Sequence, residues 1–323
     1  MHTLHLITST RSFFEQQIEV LKTRGVNCTI IRAPGEYTAD SPRTMRDYLR
    51  YYPRVLEALR REDFDLVHAH YGLVAPFAIA QPTRPVVLSL WGTDLMSEMA
   101  WLRGLSHFGA RFADATVLPS HVMADALGRE YEYIPFGVDT EQFRPIPKDV
   151  ARERVGWEHE DTIALFPYDP ARPVKNYALA EQAIEAASVD IAIRTLQHVP
   201  HHEMPYYMNA SDVMLVTSHR ESGPMTVKEA SACNLPIVSR DVGFVRDTID
   251  EVRNCAICET PDEFGREIDR IVTDGGPSNG RQVIDDLDLD AMGDRLVSLY
   301  DRLLDRPEMS APALDVDGDR HGA

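Results

Sequence analysis

Short apolar segments alternate with amphipathic segments along most of the chain, in two successive series. In the first series, runs typical of buried strands are separated by runs with helical spacing; the strand candidates are 4–8, 26–31, 65–68, 85–90, 115–118 and 133–135. A second series begins at the strand candidate 162–166. Strands that alternate with helices of about 10–15 residues indicate right-handed βαβ units and a parallel sheet. The sequence therefore predicts an α/β protein with two Rossmann-like, doubly wound domains that face a cleft.

A segment that contains Gly137 and two nearby prolines separates the two series, and this composition is typical of a linker. We therefore predict an N-terminal domain at 1–145 and a C-terminal domain at 146–304, whose last helix packs back on the first domain. The acidic segment 305–323 is predicted to be a disordered tail. Ligands of doubly wound sheets bind beyond the carboxyl ends of the strands, so the cleft is the expected functional site.

The charge balance narrows the class of partner. The 323 residues carry 51 acidic and 33 basic side chains, which gives a net charge of −18. Four of the bases are lysines, so arginine supplies the other 29. A surface this acidic repels nucleic acid, which is bound by a basic footprint. It is also typical of proteins from salt-adapted organisms, because salt screens the self-repulsion. The composition disfavours a nucleic-acid partner, predicts a halophilic protein, and makes each lysine conspicuous.

The apolar segments and the cysteines add two expectations. No apolar run reaches the ~18 residues that a membrane span needs, and the N-terminal stretch is too short for a secretory signal. We therefore predict a cytoplasmic protein without a transmembrane segment. Cys255 and Cys258 form a Cys-x-x-Cys pair inside an apolar run with the pattern of a strand. Because a zinc ribbon needs a second pair and a redox pair normally opens a helix, we predict buried structural cysteines.

The segment from Glu221 to Glu229 follows a strand candidate and opens a helix candidate. Gly223 permits a close backbone approach, and Pro224 suits the first helical position. Free amides and the helix dipole at such a start can bind an anion. Two carboxylates beside an anion site can accept hydrogen bonds from sugar hydroxyls. The spacing is equally compatible with a helix that simply carries acids near its start, so both interpretations stay open.

A second candidate lies between a strand and a helix, where Arg172 and Lys175 are three residues apart. At a helix entrance such a pair can clamp a diphosphate. Because lysine is rare in this chain, we favour this function over a solvated basic cap. The turn after the first strand, 8–13, contains no glycine, so a dinucleotide fingerprint is absent there. The sequence also lacks a Walker-type phosphate loop.

Glu221 and Glu229 form a Glu-x7-Glu motif that, with 230–238, resembles the donor-site signature of glycosyltransferase family 4. Other segments resemble the same family; they are 65–72, 92–94, 134–139, 143–145 and 206–212. Members of this family are retaining enzymes with the GT-B fold. The resemblance covers about residues 65–304, and it depends on the order and spacing of the motifs together.

The resemblance implies transfer of a sugar from a nucleotide-diphosphate sugar to an acceptor, with retention at the anomeric carbon and without a metal or other cofactor. The implied acceptor is a glycan or lipid-linked glycan of cell-surface polysaccharide or glycoprotein assembly, which leaves peripheral association with the inner face of the membrane open. Catalytic roles fall to Arg172 and Lys175 on the leaving diphosphate, and to Glu221 on the donor sugar. For donor binding, the resemblance implies that Glu229 contacts the ribose and that Val199 lies in the base pocket. It also implies that backbone amides near Gly223 and Met225 bind the sugar or the phosphate. We expect Lys175 and Glu229 to lie in the open cleft.

Acceptor-side candidates lie in the N-terminal domain and are Arg11, His70, Trp91 and Asp94. The family often has a glycine-rich turn where this chain has 8–12, with Arg11 as the one charge. The family commonly has histidine where Trp91 stands, so Trp91 is either a stacking face or a packing residue. His68 and His70 share one face of a strand. A metal pair, a lining of the cleft and a core position all stay open for them, although the sequence suggests no third ligand.

Two other functions stay open at this stage. A sugar-nucleotide epimerase could use the same fold, and it would convert the donor without an acceptor. A catalytically silent scaffold could also retain the fold, although the complete set of Arg172, Lys175, Glu221 and Glu229 disfavours it.

Overall fold

A computed structural model describes residues 1–35, 43–221 and 223–305 of the chain. Within them the chain forms two parallel β-sheets, one of six strands and one of five. Nearly all of the predicted tail lies outside the described residues, which end at Asp305. None of the helices in this part of the chain combines the length and the apolar character that crossing a lipid bilayer would need.

The first sheet has the strand order β2-β1-β3-β4-β5-β6, with every pair parallel. Its strands are β1 (His2–Ile7), β2 (Asn27–Arg32), β3 (Leu66–His70), β4 (Val86–Ser89), β5 (Ala115–Leu118) and β6 (Glu132–Tyr133). The α-helices between them are α1 (Ser12–Thr23), α2 (Met45–Arg61), α3 (Ala75–Ala80), α4 (Ala100–Phe112) and α5 (Ala124–Leu127). The strand order reverses at β1 and β3, which places the carboxyl ends of these strands at the expected ligand edge.

The second sheet has the strand order β11-β10-β9-β7-β8 and is also parallel throughout. Its strands are β7 (Ile163–Phe166), β8 (Ala192–Thr195), β9 (Val213–Val216), β10 (Ile237–Ser239) and β11 (Cys255–Ile257). The remaining α-helices are α6 (Lys148–Val155), α7 (Tyr177–Ala186), α8 (Met204–Ala210), α9 (Met225–Ala232), α10 (Val245–Ile249), α11 (Pro261–Asp274), α12 (Arg281–Ile284) and α13 (Leu289–Leu304). The central strands β7 and β9 are buried along their whole length, as parallel strands covered on both faces should be.

Two segments of backbone cross between the sheets, 136–138 and 287–289, and we call them the crossing segments. They pair with each other, because the Val138 amide donates to the Leu287 carbonyl at 3.0 Å and the Leu289 amide donates to the Val138 carbonyl at 3.1 Å. A Cβ on Gly137 would lie 2.5 Å from the carbonyl oxygen of Asp288. Only glycine allows the two backbones to approach this closely.

The last helix, α13, packs back on the first sheet. Its buried residues Met292, Leu296 and Tyr300 share a core cluster with Leu21 of α1 and Leu66 of β3. Ion pairs from Arg24 to Asp290 and Asp294 lie at the edge of this contact. Burial of each large apolar side chain stabilises the packing by about 1.5–3 kcal/mol.

All four cysteines are free thiols. Burial raises the pKa of both Cys255 and Cys258 to about 12, so these thiols stay protonated and unreactive near neutral pH. Their environment fits the structural role that the apolar run around them predicts.

Candidate functional site

The loops that follow β7 and β9 meet at the carboxyl edge of the second sheet. The Thr217 hydroxyl donates to the carbonyl oxygens of Lys175 at 3.0 Å and Asn176 at 2.9 Å. The His219 amide donates to the Val174 carbonyl at 2.9 Å. These bonds join the loop that carries Arg172 and Lys175 to the loop that carries Glu221, although the two are more than forty residues apart in sequence.

Lys175 is buried and forms an ion pair with the half-buried Glu221, in which the lysine ammonium donates to Oε1 of the glutamate. Ser218 donates to the same oxygen at 2.7 Å. The ammonium also lies 3.7 Å from the centroid of the Tyr168 ring, whose hydroxyl bonds Thr226 of α9 at 2.8 Å. Burial lowers the pKa of Lys175, and the nearby Glu221 carboxylate counteracts that shift. The cation is therefore held at a fixed position at the sheet edge.

Glu229 lies on the second turn of α9 and accepts a hydrogen bond from His201 Nε2 at 2.8 Å. This bond is the main cause that raises the pKa of His201 above its ordinary value. Val199 is half-buried and packs against the core of the second domain, two residues before His201. The sequence predicts the base pocket at Val199 but does not identify His201, because its partner is 28 residues away and is brought to it by the fold.

The expectation that Lys175 and Glu229 lie in the open cleft is wrong. Their exposed fractions are 6 % and 5 %. The aromatic ring of Tyr168 and the paired loops cover Lys175, and His201 covers the carboxylate of Glu229. Each residue is therefore placed at the edge of the sheet with a partner of opposite or complementary charge already bound.

Gly223 and Met225 lie where α9 begins. A Cβ on Gly223 would lie 2.5 Å from the Phe244 ring, so only glycine fits at this point. Met225 is the first residue of α9, and the first amides of a helix have no intrahelical partner and lie at the positive end of its dipole. Arg172 is exposed and directly precedes the 3₁₀ turn Pro173–Lys175. Two cations, two carboxylates and free amides thus surround one edge of the sheet, which is a suitable environment for a bound anion with hydroxyl groups.

On the N-terminal side, Asp94 is fully buried and holds the turn that follows β4. Its carboxylate accepts the amides of Gly72 at 2.9 Å, and of Trp91, Gly92 and Leu95 at 3.0 Å each. Burial raises its pKa to about 6 despite these bonds. The predicted acceptor-side role of Asp94 is corrected accordingly: the carboxylate shapes the turn and does not face the cleft.

The other acceptor-side candidates differ in exposure. Arg11 is exposed at the start of α1, where its carbonyl accepts the amides of Phe14 and Glu15 at 3.0 Å. Trp91 is half-buried, with the Phe13 ring edge-on at 4.9 Å between centroids. Arg11 and Trp91 therefore remain available as acceptor-side residues, whereas His70 lies in the core with no exposed surface.

His70 belongs to a buried cluster with His68 and His5. Because β1 and β3 pair with His5 opposite His68, the first strand supplies the third histidine that sequence spacing did not suggest. His5 Nδ1 and His70 Nε2 lie 3.0 Å apart, and His68 contacts the Tyr300 hydroxyl at 2.5 Å. The outer contacts are His5 Nε2 with the Thr3 hydroxyl at 2.8 Å and His68 Nε2 with the Ser89 hydroxyl at 2.7 Å.

The arrangement of these three imidazoles does not suit a metal ion. Within the described ranges, five of their six ring nitrogens already have hydrogen-bond partners, and His70 Nδ1 has none. The rings of His68 and His70 are stacked, with centroids 4.0 Å apart. A metal bound at about 2.0–2.1 Å from each nitrogen would replace most of these bonds. Burial lowers the pKa of all three, to about 3 for His5, so the cluster is a neutral polar core.

Comparison with known proteins agrees with this arrangement. Residues 1–142 match the model of Glycosyltransferase Family 4, and residues 175–284 match the model of Glycosyl transferases group 1. The putative teichuronic acid biosynthesis glycosyltransferase TuaC of Bacillus subtilis (strain 168) is 26% identical over 223 residues, and the match covers 59% of this chain and 57% of the relative. The D-inositol 3-phosphate glycosyltransferase of Frankia alni is 22% identical over 274 residues, and the match covers 65% of this chain and 66% of the relative. The chain thus spans less than two thirds of either relative.

Solved structures resemble nearly the whole chain. The sucrose-phosphate synthase from Thermosynechococcus elongatus has a TM-score of 0.76 at 15% identity, over 94% of this chain and 99% of that one. The structure of HepE from Anabaena in complex with UDP and glucose has a TM-score of 0.73 at 15% identity, over 94% and 100%. This likeness confirms the predicted fold class, and the two family models confirm the predicted resemblance. The chain therefore has the GT-B fold, and its two halves match a Glycosyltransferase Family 4 model and then a Glycosyl transferases group 1 model.

Proposed function

We propose that this protein transfers a sugar from a nucleotide-diphosphate sugar to a glycan or lipid-linked glycan acceptor, with retention at the anomeric carbon and without a metal cofactor. The observation that carries the proposal is the Lys175–Glu221 ion pair beside the start of α9, one turn before Glu229. The match of both domains to glycosyltransferase family models supports it. So does the likeness to HepE, whose structure contains UDP and glucose.

The ion pair gives the donor diphosphate a specific binding step. Phosphate oxygens only accept hydrogen bonds, as the Glu221 carboxylate does, so the diphosphate competes with Glu221 for the Lys175 ammonium. Release of Glu221 frees its carboxylate to accept hydrogen bonds from the donor sugar. The exposed Arg172 adds a second cation that the diphosphate can bind in the fork geometry of a guanidinium.

The second pair provides the nucleoside contact by the same exchange. Glu229 accepts a hydrogen bond from His201 at 2.8 Å in the ligand-free protein. Ribose hydroxyls can donate to the same carboxylate, because an ionised glutamate accepts several hydrogen bonds. His201 then either shares the carboxylate or moves towards the base, beside the half-buried Val199.

In the chemical step, the bond between the anomeric carbon and the leaving phosphate oxygen breaks as negative charge develops on that oxygen. Lys175 and Arg172 stabilise this charge electrostatically, and such stabilisation usually contributes more to catalysis than any other single effect. The acceptor oxygen attacks from the same face of the sugar, and its proton passes to the leaving phosphate. The product keeps the anomeric configuration of the donor, and no enzyme nucleophile takes part.

A thermal-shift screen with UDP-, GDP- and ADP-sugars in high salt tests the function. A ligand at 100 times its Kd should stabilise the protein by about 2.7 kcal/mol, so the correct nucleotide raises Tm clearly. The matched variants are Lys175→Met, which should lose the response, and Lys22→Met, an exposed lysine of α1 that should keep it. Absence of any response in the wild type would favour the silent scaffold. Conversion of the donor without an acceptor would favour the epimerase, and NMR of the product decides whether the configuration is retained.

The proposed acceptor leads us to include peripheral binding to an anionic membrane. Trp101, Phe108 and Phe112 are large apolar residues on α4 with exposed fractions of 58%, 42% and 52%. Their spacing of seven and four residues puts them on one side of the helix. The helix carries two arginines and no acidic residue, in a chain with 51 acids, which suits an anionic lipid surface. The helix follows β4, so its first residues lie on the cleft side of the sheet.

Co-sedimentation with vesicles tests this part of the proposal. The wild type should bind vesicles with anionic lipid and bind zwitterionic vesicles weakly. The triple variant Trp101→Ser, Phe108→Ser and Phe112→Ser should lose binding. Leu49→Ser, which removes a still more exposed apolar side chain from α2, should keep it. Equal sedimentation of the triple variant and the wild type would contradict membrane binding through α4.

A further inference from the structure

Lys228 is a buried lysine that the proposed mechanism does not use. It lies on α9 directly before Glu229, and 1% of it is exposed. Its ammonium donates to the carbonyl oxygen of Phe136 at 2.7 Å. Phe136 is the first residue of the crossing segments, next to Gly137. Lys228 therefore joins the helix that carries Glu229 to the backbone that connects the two domains.

The surroundings of Lys228 do not explain a buried cation by charge pairing. Among the residues that the structure describes, no carboxylate forms an ion pair with it. Its neighbours are the Phe244 ring, whose centroid is 4.6 Å from the ammonium, and Arg295 of α13, a second cation. Burial, and then Arg295, lower the pKa of Lys228 to about 7. A lysine in such a place costs stability, so its contact with Phe136 is the feature that needs a functional reason.

The contact continues into both halves of the site. On the C-terminal side, the Phe244 ring under Lys228 is the same ring that fills the space where a Cβ of Gly223 would be. On the N-terminal side, the Phe136 ring packs on Phe13 of α1 at 4.3 Å between centroids, and Phe13 meets Trp91 at 4.9 Å. A contiguous chain of contacts thus runs from the loop before α9 to the acceptor-side Trp91.

We propose that Lys228 is a positioning residue that fixes the angle between the two domains and couples it to occupation of the donor site through its bond to the Phe136 carbonyl. A movement of α9 when a nucleotide replaces His201 on Glu229 is passed through Lys228 to the crossing segments, and from Phe136 to Phe13 and Trp91. The coupling to the donor rests on the proposed function, whereas the clamp on the crossing segments does not.

The clamp is tested in the ligand-free protein by a distance measurement between the domains. Spin labels at Glu57→Cys on α2 and Glu185→Cys on α7, two exposed positions, report the distribution of interdomain distances by electron–electron double resonance. Lys228→Met keeps the apolar length of the side chain and removes the donor, so the distribution should broaden. Lys228→Arg restores a cationic donor and should narrow it again, and Lys22→Met should leave it unchanged. A distribution in Lys228→Met identical to that of the wild type would overturn the proposal.

The coupling is tested with UDP as the probe. In the wild type, UDP should shift the interdomain distance; in Lys228→Met the shift should be lost while the Kd for UDP stays close to the wild-type value. In Lys228→Met, kcat should likewise be about tenfold lower than in the wild type, while the donor KM stays unchanged. A shift and a kcat in Lys228→Met equal to those of the wild type would contradict the coupling. If the wild type does not bind UDP, GDP or ADP replaces it as the probe. If it binds none of the three, the donor assignment fails, and the ligand-free measurement still decides whether Lys228 is the clamp.

Discussion

Both domains bury ionisable side chains at a parallel sheet, but in different electrostatic states. In the first domain, His5, His68 and His70 are neutral, because burial lowers their pKa values. In the second domain, Lys175 is paired with Glu221, and the Glu229 contact raises the pKa of His201. In the neutral cluster the histidines bond one another and nearby hydroxyls. In a charged pair, a ligand with the charge of one partner can displace that partner from the other. We infer that the polar groups of the second domain are arranged to exchange partners with a ligand, whereas those of the first domain hold the core in place.

The same contrast explains what sequence patterns could predict. Parallel strands covered on both faces are continuous apolar runs, so the strand candidate 162–166 matches β7 to within one residue. The helices α8 and α10 were not predicted, because seven and five residues are too few for the helical period to be recognised. The two glutamates and the basic pair were identified because their spacing is local.

Contacts between distant residues could not be predicted in the same way. The Lys175–Glu221 pair joins two loops across 46 residues, and His5 reaches His68 through strand pairing. Both are consequences of the tertiary fold. The rarity of lysine did mark Lys228 as unusual, but its partner Phe136 lies 92 residues away on the crossing segments. The sequence thus predicts which residues form the donor site, but not that these residues bind partners within the protein.

The largest expected effect comes from removing the Lys175 ammonium, which pairs with Glu221 and would bind the donor diphosphate. Charge-assisted hydrogen bonds contribute about 1.5–3 kcal/mol, and each 1.4 kcal/mol is tenfold in rate. Because charge on the leaving phosphate develops in the transition state, Lys175→Ala should lower kcat by about 10–100-fold beyond any rise in KM. The measurement is steady-state turnover with the nucleotide sugar found in the screen.

This variant also leaves Glu221 half-buried without its cation, so its melting temperature should fall. The double variant Lys175→Ala with Glu221→Gln should recover stability and not turnover. Wild-type turnover with an unchanged donor KM in Lys175→Ala would refute the diphosphate assignment.

The second prediction concerns the ribose contact. It is remote from the breaking bond and similar in the ground and transition states, so Glu229→Gln should raise the donor KM by about tenfold with a smaller change in kcat. An initial-rate study at varied donor concentration separates the two constants. A fall in kcat at constant KM would instead place Glu229 at the reacting centre.

The same variant should alter the pH dependence of stability. Since the folded pKa of His201 is raised, its contribution is complete below about pH 6.5 and is lost as pH rises through the folded pKa. The wild type should therefore lose stability over this range relative to Glu229→Gln, as measured by urea unfolding at several pH values. Parallel pH profiles for the two proteins would show that the His201–Glu229 bond does not form in solution.

A substitution in the neutral histidine cluster should lower stability and have only a small effect on turnover. His68→Phe leaves the Ser89 and Tyr300 hydroxyls without their partner, and each unsatisfied buried group costs about 1–3 kcal/mol. Unfolding free energy should fall by that order while kcat stays near the wild-type value. His159→Phe, which replaces an exposed histidine, is the control.

Low pH should also distinguish the histidine cluster of the first domain from the charged pairs of the second. The folded pKa values of the cluster are lowered, so its histidines oppose folding as soon as the unfolded chain binds protons, and stability falls as pH drops below about 6.5. This acid-dependent loss should be weaker in His68→Phe than in the wild type. A loss of turnover without a loss of stability would mean that the cluster serves the reaction directly.

The smallest expected effect on the site itself comes from salt, because salt screens exposed charges far more than buried ones. The net charge of −18 should make the surface self-repelling at low ionic strength, whereas the Lys175–Glu221 pair is enclosed. Between about 0.1 M and 2 M KCl the Debye length falls from ~10 Å to under 3 Å, so Tm should rise by several degrees. The matched variant carries Glu153→Lys, Glu158→Lys and Glu160→Lys, three exposed positions of the second domain. It should show a smaller rise, because each substitution removes a negative charge and adds a positive one. An equal rise in both proteins would assign the effect to general salting-out, and a flat profile would separate the acidic composition from any need for salt.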